Sequence, residues 1–247
     1  MESRTFETPY GPIVLVGQPS AFEGTRPLLV AIAGAFAIAR GPLFQLAPLI
    51  GDCDVVTGHL PGNHCPTLIS ASVGVYASAY SHVIAQQFAD RTVIGCGASI
   101  GGLVALGLRA PQVRNLLVIE PPLVMSKIWP LWPTLRSKLA ASPDDAAQRD
   151  FIVNVFGVTE TAVAERRYDS LLDALRKPTH VVVGDQPLFP ERALAKLPSL
   201  VDEPERARMA AHPMIRLSVA PNAGHNVLQE STPAFLAALR EAIRAPD

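Results

Sequence analysis

The chain has 247 residues, room for one α/β domain with a large core, and its balance of 49% apolar to 17% charged residues points to a heavily buried interior. A formal net charge of -1, with both signs scattered, leaves no basic surface for nucleic acid or an anionic membrane, so a small neutral or apolar partner fits better. Residues 1–11 carry charges and no apolar h-region, and no run reaches the length of a membrane span; the expectation is neither secretory signal nor anchor, with cytoplasmic residence as the default.

In chain order, Ile13 to Val16 reads as a short strand and Pro27 to Ala33 as a continuous apolar strand ending at Gly34. Phe36 to Ile50 has helical spacing, and Asp54 to Thr57 is a further strand leading into the loop Gly58-His59-Leu60-Pro61-Gly62-Asn63-His64. Ala71 to Ala89 is an amphipathic helix, Thr92 to Cys96 a buried strand, and Ile100 to Ala110 a helix stopped by Pro111. Asn115 to Ile119 is a strand closed by Glu120-Pro121-Pro122. From Leu123 to Lys177 the pattern turns helical, over Met125 to Ala140, Asp144 to Phe156 and Thr159 to Arg176. Such an excursion between two core strands suggests a lid over residues 123–178, with 1–122 and 179–247 forming the core. Thr179 to Val183 and Met214 to Val219 supply the last strands, and Thr232 to Arg244 is an amphipathic terminal helix. Strands alternating with helices imply a mainly parallel sheet covered on both faces. Cys53, Cys65 and Cys96 lack CxxC or metal-ligand spacing and read most simply as free thiols; no metal site and no cofactor are expected.

One motif carries chemistry. In Gly97-Ala98-Ser99-Ile100-Gly101 a serine stands between a β-branched strand and a helix, with glycines two positions to either side. A serine at such a turn takes a strained backbone conformation that thrusts its Oγ out of the sheet, and residues without a Cβ leave room for it. The competing reading is a tight turn in which Ser99 merely caps the helix.

The order of signals resembles the α/β-hydrolase superfamily over nearly the whole chain: the early strand ending in Ala33-Gly34-Ala35-Phe36, the Leu-Pro-Gly loop, the Gly97 to Gly101 elbow, the helical excursion, and the late Gly224-His225. The resemblance implies that Ser99 is a nucleophile and His225 its general base. It further implies an oxyanion hole made by the backbone N–H groups of Ile100 and Ala35, although the usual His-Gly is Ala33-Gly34 here. For the third member, relatives often use Gly-x-x-Asp after the strand that follows the lid. This chain has Gly184-Asp185-Gln186-Pro187, with the carboxylate directly after the glycine. Asp185 is the favoured acid, and Glu120, at the end of the strand after the elbow, is the alternative.

Phe36, Trp129 and Trp132 are the candidate substrate contacts, since Ile128, Trp129, Leu131 and Trp132 set bulky apolar groups at the start of the excursion; packing of both tryptophans against the core is the competing reading. Arg166, Arg167 and Arg176 could meet an anion but suit a solvated face. The expected activity is a serine hydrolase cleaving a small apolar ester or thioester through an acyl-enzyme. The same residues would serve a carbon-carbon hydrolase, a lactonase, a lyase or an acyl transferase, and the irregular acid leaves open a binding protein that has lost full catalysis.

Overall fold

The computed structural model describes residues 1–39, 50–51 and 53–244. Their strands are β1 (Glu2–Phe6), β2 (Ile13–Gly17), β3 (Leu28–Ile32), β4 (Asp54–Gly58), β5 (Val93–Ala98), β6 (Val113–Ile119), β7 (Thr179–Gly184) and β8 (Ile215–Ala220), joined in one sheet of order β1-β2-β4-β3-β5-β6-β7-β8. β2 runs antiparallel to β1 and β4, and every pairing from β4 to β8 is parallel.

Parallel strands with both faces covered must be apolar on both, and β3 shows it: all five residues are buried. Leu28, Val30 and Ile32 enter one core layer while Leu29 and Ala31 enter the other, as the two-residue period of a strand requires. The first layer packs under α1 (Pro19–Glu23), α2 (Val73–Gln87), α3 (Ile100–Leu106) and the segment between β6 and β7; the second packs against Phe235, Ala238, Leu239 and Ala242 of the terminal helix Thr232–Arg244. From β3 the chain goes to β4 on one side, and from β5 it goes to β6 on the other. The strand order therefore reverses between β3 and β5, and the loops leaving their carboxyl ends part to open a crevice.

The excursion between β6 and β7 is less helical than its spacing predicts. Met125–Lys127 and Trp129–Leu131 are single 3-10 turns before the helix Trp132–Ala141, and Ala146–Phe151 runs into a π-helical turn, Ile152–Phe156. Of Thr159 to Arg176 only Ser170–Asp173 is helical. There the Thr159 hydroxyl accepts the Ala162 N–H, and bridges pair Val158 with Val163 and Val124 with Arg167, so local and cross-chain hydrogen bonds replace the helical ladder. Arg167 pairs at the surface with Glu165 and Asp169. The helix expected from Phe36 to Ile50 lies mostly on residues 40–49, outside the described residues, and Phe36 itself stands in a turn. Strand β1 and the helix Glu203–Ala210 have no counterpart in the sequence reading.

The elbow depends on backbone contact at Gly101, where a Cβ would collide with the carbonyl oxygens of Ile32 and Ala33. A backbone carbonyl in a central strand cannot step aside. Gly101→Ala is expected to cost about 3 kcal/mol or more in urea denaturation. Gly74→Ala, in a helix position where nothing lies within 4 Å of the added methyl, is expected to be neutral or stabilising by up to about 1 kcal/mol.

Candidate functional site

Ser99 sits at the carboxyl end of β5 with φ 55° and ψ -123°, a backbone state that a side-chain-bearing residue reaches at a cost of about 1–3 kcal/mol. Its surroundings hold it there: Ser99 N–H donates to Ile119 O at 2.8 Å, and Ser99 O accepts from Gly102 N–H at 2.9 Å. Gly97 faces Gly101 so closely that a Cβ on it would strike the Gly101 carbonyl. Ile100 opens α3, so its N–H has no carbonyl four residues back within the helix. Across the crevice, Ala35 lies in the turn after β3.

Glu120 follows β6 with φ 51° and is fully buried. A carboxylate removed from water is costly unless its oxygens are hydrogen-bonded, and four donors converge on this one. Oε1 accepts from Gly184 N–H at 2.7 Å and from the Ser199 hydroxyl at 2.7 Å; Oε2 accepts from Leu200 N–H at 2.8 Å and faces His225 Nδ1 at 3.2 Å. Because Oε2 is an acceptor, Nδ1 carries the proton and the imidazole lone pair is left on Nε2. His225 N–H also donates to Leu197 O at 3.2 Å, so the loop from Leu197 to Leu200 grips both members of the pair.

The favoured acid of the sequence reading, Asp185, points elsewhere. Its oxygens accept from Asn222 N–H at 2.8 Å and from Ala223 N–H at 3.1 Å, and Gln186 Nε2 donates to it at 3.2 Å. Standing directly after Gly184 rather than three residues on, it reaches the backbone of the turn before His225, while the carboxylate bonded to the imidazole is Glu120. The turn carries Asn222 at φ 57°, a left-handed residue whose N–H Asp185 fixes.

Ser99 and His225 line the same cavity, of about 360 Å³, together with Gly34, Ala35, Phe36 and Ile119 from the sheet side. Phe156, carried in by the π-helical turn, stacks on Phe36 with centroids 6.4 Å apart. The excursion contributes Leu131, Thr134 and Leu135 to the wall. Trp129 and Trp132 are not among the lining residues: the Trp129 indole N–H donates to Leu188 O at 3.3 Å, and both rings pack against the core. Of the three expected substrate contacts, the structure brings only Phe36 to the cavity. No pattern in the sequence singled out Ser199 or Leu200, which meet Glu120 from 80 residues away.

No family model matches the chain, and no curated protein matches it. Solved structures do. A carboxylesterase from Bacillus subtilis, CesB, superposes with a TM-score of 0.66 at 16% identity, over 100% of this chain and 93% of its own. The N-acyl homoserine lactonase AidH gives 0.65 at 19% identity, over 99% and 98%. The chain has the α/β-hydrolase fold. A proline iminopeptidase from Mycobacterium smegmatis, at TM-score 0.65 and 15% identity over 98% and 97%, shares it. In an α/β-hydrolase fold the crevice at the reversal of strand order is where Ser99, Ala35 and His225 stand here. Among the described residues no helix is long and apolar enough to cross a membrane.

The Asn222 N–H, with help from Gln186 and Ala223, holds the Asp185 carboxyl below the usual aspartate range. A depressed native value means stability that is present above the unfolded pKa of about 3.9 and is lost as pH falls through the lower native value. Asp185→Asn is therefore expected to lower the urea midpoint at pH 7, with the gap to wild type closing below about pH 4.

Proposed function

We propose that this protein is a serine hydrolase that cleaves a small, apolar carboxylic ester or thioester through an acyl-enzyme. Ser99 is the nucleophile, His225 the general base and Glu120 the orienting acid. The observation that carries the reading is the bond from His225 to a buried, fully hydrogen-bonded carboxylate, beside a cavity that also holds a strained serine. Carboxylesterase, lactonase and iminopeptidase neighbours of the same fold support hydrolysis as the reaction class.

A serine hydroxyl is a weak nucleophile until its proton has somewhere to go. As Ser99 Oγ attacks the substrate carbonyl carbon, the proton passes to His225 Nε2, and the Nδ1–H held by Glu120 stabilises the imidazolium that forms. The carbonyl π electrons move to oxygen, which is received by the Ala35 and Ile100 N–H groups; each such donor contributes about 3 kcal/mol to the barrier reduction. The intermediate collapses as the leaving alcohol or thiol takes the proton from His225. Water then repeats the sequence on the acyl-enzyme and frees Ser99. Residues 123–178, whose Leu131, Thr134, Leu135 and Phe156 wall the cavity, act as the lid that limits water and shapes the acyl pocket.

A serine-reactive fluorophosphonate is expected to label wild type and not Ser99→Ala; an unlabelled wild type sinks the proposal. With 4-nitrophenyl acetate, Glu120→Gln is expected to lower kcat roughly 10³-fold or more, and Asp185→Asn by no more than about tenfold. Ser199→Ala removes one of the four donors to Glu120 and is expected to lower kcat about tenfold with KM little changed.

A further inference from the structure

The cavity is apolar apart from Ser99, Thr134, His225, Asn226 and Gln229, and His225 is the one ionisable side chain other than a hydroxyl among its described lining residues. A charge waits just behind its wall. Lys138 Nζ lies 4.3 Å from the centroid of Phe36, the aromatic ring that lines the cavity next to Ala35. Lys138 stands one turn beyond Thr134 in the helix Trp132–Ala141, and a spacing of four residues puts the two on one face. The side chain is half-buried, and no carboxylate pairs with its ammonium among the described residues. An ammonium gains little from the face of a single phenyl ring, so this one can exchange the ring and solvent for an anion brought within its reach.

Resting on the serine-hydrolase reading, the geometry points to a substrate whose acyl chain ends in a free carboxylate, with Lys138 as the residue that selects it. A carbonyl carbon at Ser99 and the Ala35 N–H fixes one end of the acyl group. Methylenes then run along Leu135, Phe156 and Phe36, and the distal carboxylate meets the Lys138 ammonium, whose flexible four-carbon stem lets it turn from the ring toward the anion. Monoesters of dicarboxylic acids have this form. The apolar wall favours the methylenes, and the cation discriminates against a chain that ends in methyl.

The test compares labelling of Ser99 by two alkyl fluorophosphonates of equal chain length, one ending in carboxylate and one in methyl; in each the Ser99 Oγ–P bond forms as fluoride leaves and the hydroxyl proton goes to His225. The ratio of carboxylate to methyl second-order rates is measured for wild type, Lys138→Met and Lys138→Arg. The ratio is expected to fall about tenfold in Lys138→Met, to stay within about threefold of wild type in Lys138→Arg, and in wild type to shrink as salt is raised. A ratio unchanged by Lys138→Met, with the methyl probe still labelling Ser99, overturns the role of Lys138 and leaves the hydrolase reading standing. Labelling by neither probe overturns both.

Discussion

A carboxylate buried away from solvent has to be met by donors on every side, and at Glu120 four donors come from three places in the chain. Gly184 belongs to the end of β7, Ser199 and Leu200 to the loop beyond it, and His225 to the turn after β8. Removing the charge or misplacing any donor would leave an unsatisfied group in the core, which is more costly than a lost surface bond. The carboxylate thus sets the spacing between the ends of β6, β7 and the His225 loop. Orientation of the imidazole follows from the same set of bonds that makes the burial of Glu120 tolerable.

A second constraint acts on the other side of the crevice. Ser99 is held in a strained conformation because its flanking glycines let α3 press directly on the backbones of β3 and β5. Bulk at either glycine would push the helix start away from the sheet, and with it the Ile100 N–H. Where Glu120 secures its geometry by hydrogen bonds, the elbow secures its own by the absence of side chains. Both are rigid supports at the carboxyl edge of one sheet, the arrangement that a preorganised site requires.

The cavity between them is closed by the least regular part of the fold. The β6–β7 excursion is built from short turns, three short helices and a π-helical turn, tied to the core through buried contacts such as Glu205, whose carboxylate accepts from the N–H groups of Leu123 and Val124. Leu131 and Leu135, four residues apart, reach the cavity from one side of this excursion, and the π-helical turn brings in Phe156 from another.

Every strand but β1, and the elbow, were legible in the sequence because their signals are local. An apolar run between glycines and prolines specifies a buried strand, and Gly-x-Ser-x-Gly with strand before and helix after specifies a turn that only small residues permit. Ser99, His225 and Phe36 could therefore be named in advance as neighbours of one site. Which carboxylate meets the imidazole could not be read from spacing, because Glu120 stands more than a hundred residues from His225 and Asp185 only forty. Likewise Trp129 and Trp132 look like pocket residues by bulk, yet Trp129, in a 3-10 turn, and Trp132, at the start of the following helix, pack against the core while Leu131 between them lines the cavity. The chain's own pattern determined the layered sheet and the serine at its edge; folding alone decided the partner of the histidine and the lining of the cavity, since those depend on where distant loops come to rest.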